Sequence, residues 1–345
     1  MYKIGIVGDG YTAADLLRLI ANHPYIRPVC IFSTENIGRR IDEVYPHLRG
    51  FSDLTCQAGN GELIRNECDA VFLALPHGLS VPIVQEFWPS DIKCVDLGAD
   101  FRLKDAHIYE KHYEMVHEAP ALLAEAVYGL PELYRDNIKN SRLIANPGCF
   151  PTSAILPLAP LLKAEVIEAK NIIIDSKTGV SGAGKSPKPG SMFCEINEGI
   201  KAYGVGNHRH TPEIAQELSL AAGMKVDIVF TPHLVPMNRG ILTTSYSRLK
   251  AGVKARQVRE VLTDFYAGAR FIRILPEGLM PHTKWVYGSN FVDIGIYADD
   301  DSGNVILVSV LDNLVKGASG QALQNLNLML GIEEHTGLDF AGVHP

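Results

Sequence analysis

The segment YKIGIVGDGYTAADLLRLI, starting at Tyr2, restricts the fold more than any other part of the chain. A short apolar run of strand length meets Gly8-Asp9-Gly10, and Tyr11-Thr12-Ala13 then opens an amphipathic pattern with Leu16, Leu19 and Ile20 on one side. The order strand, tight turn, helix, with G-x-G-x-x-A at the junction, predicts a βαβ unit whose turn receives a dinucleotide pyrophosphate. Gly8 and Gly10 let the backbone approach the phosphates, while the first N–H groups of the helix, on Tyr11, Thr12 and Ala13, present the positive end of its dipole. Such a start requires further parallel strands. RPVCIFST, CDAVFLALPHG and IKCVDLGAD are apolar runs ending in turn residues, with the helical SVPIVQEFW between the last two. A doubly wound parallel sheet in an α/β domain follows.

The end of the second strand bears on the dinucleotide. A ribose 2′-hydroxyl calls for an acid there, and a 2′-phosphate for hydroxyls and arginine. The chain reads Phe32-Ser33-Thr34-Glu35-Asn36-Ile37-Gly38-Arg39-Arg40. Ser33 and Arg39 are therefore candidates to hold a 2′-phosphate, which favours NADP, with Glu35 keeping NAD open.

From about residue 151 the pattern turns β-rich. KNIIIDSKT, MKVDIVFTPHLVPMNRGILTTSYSRL and FVDIGIYADDDSGNVILVSVLDN form strands, the last a hairpin about Asp301-Ser302-Gly303-Asn304. These favour an antiparallel or mixed sheet, and 345 residues suffice for two domains sharing a cleft. NLVKGASGQALQNLNLMLG reads as a helix that starts on small residues and stops at Gly331. Residues 179–186 spell G-x-x-x-x-G-K-S, the phosphate loop of nucleotide hydrolases, but Pro187, Pro189 and Gly190 forbid the helix that loop needs. The segment is read as a glycine-rich cleft lining that offers Ser181 or Lys185 to an anionic substrate.

Lys and Arg number 32 against 39 Asp and Glu, for a net charge of -7, and no basic stripe can meet a row of phosphates, which argues against a nucleic-acid partner. Neither a signal-peptide pattern nor an apolar run of membrane-spanning length is present, so a cytoplasmic protein without membrane contact is expected.

The six cysteines, Cys30, Cys56, Cys68, Cys94, Cys149 and Cys194, form no C-x-x-C pair and no zinc-finger spacing, so neither a disulfide framework nor a metal site is signalled. Cys30 and Cys94 lie in apolar strands and read as inert. Cys149 differs. IANPGCFPTSAILPLAPLL sets it after a Pro-Gly corner at the start of a helix that Pro151 helps to open and that Pro157 and Pro160 interrupt. A thiol there feels the positive end of the dipole, which favours the nucleophilic thiolate. Its proton partner is sought among histidines, and GNHRHTPEIAQEL offers His208 and His210, two apart in an extended stretch ahead of a helix capped by Thr211. A surface pair or an incomplete metal site competes with that reading. Arg102, in DLGADFRL, suits either a carboxylate or phosphate fork or a structural ion pair.

ANPGCFPT, VYGLPEL, DSKTGVSGAGK, HRHTPEI, FTPHLVPMNRGI and NLVKGASGQALQNLN together resemble the N-acetyl-gamma-glutamyl-phosphate reductase family, NADPH-dependent enzymes of arginine biosynthesis. The resemblance runs over nearly the whole chain. Its Pro-Gly-Cys-aromatic-x-Thr segment differs from the Asn-Cys-Ser/Thr type of the related aspartate-semialdehyde dehydrogenases. The resemblance implies a Rossmann-type NADP-binding domain over 1–147 and 314–345, to which the last helix returns. It also implies a catalytic and dimerisation domain over 148–313, on a mixed sheet akin to that of glyceraldehyde-3-phosphate dehydrogenase, and a homodimer or homotetramer. It makes Cys149 the nucleophile and His208 the acid and base, with His210 beside it. Gly182 and Asn313 join the expected cofactor residues, and Asn146 joins Arg102 and Ser181 at the substrate. The implied reaction reduces a small-molecule acyl phosphate, N-acetyl-glutamyl 5-phosphate, to its semialdehyde through a thioacyl enzyme. The same chemistry on a carrier-linked aminoadipyl phosphate of lysine biosynthesis, and a non-catalytic NADP-binding regulatory role, are the alternatives. Two features depart from the family: GDGYTA is one residue shorter than the usual G-A-S-G-Y-T-G, and Ser153 replaces glycine or alanine.

Overall fold

The computed structural model describes residues 1–59 and 61–344. Two compact units make up the chain: Met1–Pro147 with Ala318–Asp339, and Gly148–Gly317 with the residues from Phe340 onward.

In the first unit, strands β1 (Tyr2–Val7), β2 (Ile26–Phe32), β3 (Cys56–Gln57), β4 (Ala70–Leu73), β5 (Lys93–Asp96), β6 (Val127–Tyr128) and β7 (Leu143–Ala145) form one sheet in the order β3-β2-β1-β4-β5-β7-β6. Every neighbouring pair is parallel. The reversal of strand order at β1 makes its C-terminal end a switch point, where such sheets bind ligands. Ile4, Ile6 and all of Ala70–Leu73 are buried, as expected of strands covered on both faces. The helix Tyr11–Ile20 connects β1 to β2 and buries Leu16, Leu17, Leu19 and Ile20. The late helix Gly320–Met329 belongs to this unit and is buried all round. Two of its polar side chains donate into this unit: Asn325 Nδ2 to Gly129 O at 2.8 Å and to Asn146 Oδ1 at 3.1 Å, and Gln324 Nε2 to Glu334 at 2.8 Å.

The second unit carries a mixed sheet of β8 (Ile172–Thr178), β9 (Lys201–Ala202), β10 (Ile228–Leu234), β11 (Ile241–Arg248), β12 (Ile272–Ile274), β13 (Val292–Ala298) and β14 (Asn304–Leu311), in the order β12-β13-β14-β11-β8-β10-β9. β8 with β10 and β12 with β13 are parallel, and the remaining pairs are antiparallel. The expected β13–β14 hairpin is present, its turn held by Asp299 Oδ2, which accepts the Ser302 N–H at 2.8 Å.

The helix after the Pro-Gly corner runs unbroken over Cys149–Lys163, so Pro157 and Pro160 do not interrupt it. Each proline removes the hydrogen bond to the carbonyl four residues back, which leaves the oxygens of Ser153 and Leu156 without helical donors. Both receive hydroxyls from elsewhere: Ser309 Oγ donates to Ser153 O at 2.6 Å, and Tyr266 OH donates to Leu156 O at 2.6 Å. Replacing Tyr266 by phenylalanine strands a buried carbonyl, and about 1–3 kcal/mol of unfolding free energy should be lost in urea titrations. An unchanged midpoint would mean that this hydroxyl does not sustain the proline helix. Ser153 is also accommodated. Its hydrogen goes to Phe150 O at 2.8 Å, so Thr243 Oγ1 must donate to Ser153 at 2.7 Å and Ser176 to Thr243 at 2.8 Å, which closes a buried hydroxyl chain.

Candidate active site

At the nucleotide turn Gly8 has φ 106°, the left-handed region, and a Cβ there would lie 2.3 Å from Ala74 O. Gly10 caps the helix Tyr11–Ile20 without a side-chain cap, and a Cβ on it would meet nothing within 4 Å. The N–H groups of Tyr11, Thr12 and Ala13 therefore have no intrahelical acceptor and open space before them. That cradle fits a pyrophosphate. Ser319 Oγ steadies it by donating to Thr12 O at 3.0 Å.

Beside this turn the serine assignment needs correction. Ser33 is buried, its hydrogen is donated to Asp9 Oδ2 at 2.7 Å, and its oxygen accepts the N–H groups of Glu35 at 3.1 Å and Asn36 at 2.9 Å. It supports the turn and does not offer a hydroxyl to a phosphate. Arg39 is exposed and linked to the same cluster by Nη1 donating to Asn36 Oδ1 at 3.1 Å, so its guanidinium is accessible to an anion.

Arg102 and Asn146 come together, but as a brace. Arg102 is buried, donating from Nε to Asn146 O at 2.8 Å and from Nη2 to Leu97 O at 2.9 Å, which ties the loops that follow β5 and β7. Asn146 Nδ2 donates to Ala318 O at 3.2 Å. Its Nε hydrogen and one on Nη2 are thus given to backbone carbonyls, because the two strand ends leave acceptors that need a donor.

In the second unit Cys149 is the first residue of its helix, with Gly148 as cap, and is half-buried, whereas Cys30, Cys56, Cys68 and Cys94 are buried. Pro151 has no N–H, so Cys149 and Phe150 supply the first-turn donors, and the dipole there favours thiolate. The preceding Gly148 is fixed from both sides: its N–H donates to Glu213 Oε1 at 2.8 Å, and its carbonyl accepts Thr152 Oγ1 at 3.0 Å. On the other side of the nucleophile a Cβ on Gly317 would come 2.8 Å from Cys149 Cβ, so only glycine fits there.

Phe150 gathers both histidines, its ring centroid lying 5.7 Å from His208 and 5.9 Å from His210. The two imidazoles are 5.0 Å apart. They reach this arrangement through a turn and not the expected extended stretch, and the helix Thr211–Ala222 is capped at His210 and not at Thr211. The His210 N–H donates to His208 Nδ1 at 3.1 Å, which assigns the neutral ring's proton to Nε2. Burial, with Arg209 nearby, lowers the His208 pKa to about 4, so the ring is neutral near pH 7. A neutral imidazole with Nε2–H is a hydrogen-bond donor to a carbonyl oxygen.

Ser181, Gly182 and Asn313 cluster in the same unit. Asn313 Nδ2 donates to Ser181 Oγ at 3.0 Å, and Asn313 Oδ1 accepts the Gly240 N–H at 2.7 Å. Ser181 donates its one hydrogen to Asn238 O at 2.6 Å, so it can only accept from a ligand. A Cβ on Gly182 would lie 3.8 Å from Asn313 Nδ2. The segment after β8 forms a short 3-10 turn over Val180–Ala183 and no helix begins at Lys185, in keeping with the rejection of a nucleotide-hydrolase loop.

Sequence reasoning missed Glu213 and Tyr203. Glu213 lay in plain sight in HRHTPEI, one helical turn past the histidines, but only the folded chain brings it under Gly148. Tyr203 packs on His208 at 5.5 Å, and burial followed by the Cys149 charge pushes its phenol upward, so it stays protonated. Among the described residues no three His, Cys, Asp or Glu side chains gather as a metal site, and no helix is long and apolar enough to cross a membrane.

Residues 3–141 match the model for the semialdehyde dehydrogenase NAD binding domain, and residues 149–313 that for the semialdehyde dehydrogenase dimerisation domain. The chain is 51% identical over 344 residues to the N-acetyl-gamma-glutamyl-phosphate reductase of Pelotomaculum thermopropionicum, covering 99% of each chain. It is 51% identical to the protein of that name in Heliobacterium modesticaldum over all of both chains. Among solved structures, the aspartate semialdehyde dehydrogenase of Candida albicans with NADP aligns at TM-score 0.73 and 15% identity over 96% of this chain and 98% of that one. The second such enzyme of Vibrio cholerae aligns at TM-score 0.72 and 18% identity, with the same coverage of 96% and 98%. These structural likenesses establish the shared fold.

Proposed function

The chain belongs to the N-acetyl-gamma-glutamyl-phosphate reductase family, and from that premise we propose that it reduces N-acetyl-glutamyl 5-phosphate to N-acetyl-glutamate 5-semialdehyde and phosphate in the cytoplasm, with NADPH. The observation that carries this reading is Cys149 at a helix start with two histidines gathered on the adjoining Phe150 ring. Cys149 Sγ bonds to the acyl carbon, the carbon–oxygen bond to phosphate breaks, and phosphate leaves with its electron pair, giving a thioacyl enzyme. The Gly8–Ala13 turn and Arg39 would hold NADPH, which would supply a hydride to the thioester carbon; the carbon–sulfur bond then breaks, returning the Cys149 thiolate and releasing the semialdehyde. His208 Nε2–H, with the N–H groups of Cys149 and Phe150, donates to the negative charge that builds on the carbonyl oxygen. Glu213 acts before any chemistry, holding Gly148 so that the thiol keeps its place. Phosphate-dependent NADP reduction by N-acetyl-glutamate semialdehyde, run beside its one-carbon-longer homologue, tests the assignment. A preference for the longer substrate would overturn it in favour of aminoadipyl chemistry.

The oligomer is part of the proposal. Val229, Ile173, Tyr246, Ile306 and Tyr297 stand opposite one another across five strands of the second unit's sheet, and all but Ile306 are exposed at 41% or more. A row about 19 Å wide at ordinary strand spacing is more apolar surface than a sheet leaves to water, and it suits a second copy of the same face. Ile173→Asp with Tyr246→Asp should convert the assembly to monomers in light scattering. An unchanged mass would move the interface elsewhere.

A further inference from the structure

We infer that Asp9 sets the dinucleotide specificity of this protein, opposing Arg39, and that the chain takes NADH nearly as well as NADPH; this rests on the reductase reading above. The shortened turn puts Asp9 directly after Gly8, whose N–H donates to Phe32 O at the end of β2 at 2.8 Å. From there the Asp9 carboxylate reaches the first residue beyond β2, accepting Ser33 Oγ at 2.7 Å and the Asn36 side-chain amide. In doubly wound sheets that is the place where an acid selects a free ribose 2′-hydroxyl. Here the first residue after β2 is Ser33, and the acid that sits on it is Asp9 of the neighbouring turn. The network is built and not incidental: Tyr45 OH donates to Asp9 O at 2.8 Å, and Asp9 is only 8% exposed.

The charges at this corner oppose each other. A 2′-hydroxyl can donate to Asp9, whereas a 2′-phosphate brought against Ser33 meets a carboxylate that water screens poorly. Arg39, fixed through Asn36 on the exposed side, attracts the same phosphate. Two opposed charges leave little net discrimination, where an arginine alone would give much.

Fluorescence titration of reduced nicotinamide gives dissociation constants for NADH and NADPH on the wild type, Asp9→Ser and Asp9→Asn, with urea midpoints reporting whether each variant is folded. The wild-type constants should differ by less than about tenfold, and each folded variant should shift their ratio toward NADPH by about tenfold or more. Discrimination against NADH above tenfold in the wild type, or a smaller shift in both variants, overturns the inference while leaving the reductase reading intact. Binding of neither dinucleotide overturns both. Asp9→Asn keeps the side chain's shape and an acceptor for Ser33, so it separates the charge from the scaffold.

Discussion

Cys149→Ser should lower phosphate-dependent NADP reduction by at least about a thousandfold while leaving the NADPH dissociation constant within about twofold of wild type. A serine hydroxyl stays protonated where the helix start favours a thiolate, so the acyl transfer that precedes reduction loses its nucleophile. The fold should barely register the change. Gly148 is held by Glu213 and Thr152 whatever follows it, and the close pass of Gly317 constrains the Cβ, which serine shares. Iodoacetamide should inactivate the wild type, acyl phosphate should protect it, and the variant should be indifferent. Turnover above about one per cent of wild type in Cys149→Ser would remove the thioacyl enzyme from the mechanism.

How much of this was readable beforehand divides by range. The parallel sheet was legible because β1, β2, β4 and β5 are apolar runs set between turn residues, and the Gly8–Ala13 turn because its letters state a local backbone demand. Cys149 was legible for the same reason, since Pro147 and Gly148 fix a corner before it. Contacts made at long range were not. The helix through Pro157 and Pro160 depends on hydroxyls from Ser309 and Tyr266, 156 and 110 residues away in sequence, which no local pattern announces. Ser33 and Arg102 looked like ligand residues by position, yet Asp9 takes the hydrogen of Ser33, and the carbonyls of Leu97 and Asn146 each take an Arg102 N–H. The helix Gly320–Met329 is buried all round, so it has no polar stripe to give away where it packs. His208 and His210 were found through chemistry, with the wrong local geometry: their approach is made by a turn and by Phe150.

The two glycines of the nucleotide turn should fail in opposite ways, and the contrast tests the cradle more sharply than either substitution alone. Gly8→Ala puts a methyl 2.3 Å from the Ala74 carbonyl oxygen at φ 106°, against backbone of β4's continuation that cannot rotate away. Strain and collision together should cost about 2–4 kcal/mol, read as a lower urea midpoint with or without nucleotide. Gly10→Val meets no atom within 4 Å, and its φ of -79° with ψ -172° is extended backbone that valine adopts readily. Its unfolding midpoint should stay near wild type. Its branched side chain instead fills the space before the N–H groups of Tyr11, Thr12 and Ala13, and NADPH binding should weaken by at least about a hundredfold. If Gly10→Val bound NADPH normally, the pyrophosphate would have to lie elsewhere. If Gly8→Ala unfolded like wild type, the loop after β4 would have to yield, and the close approach that shapes this turn would not be what holds it.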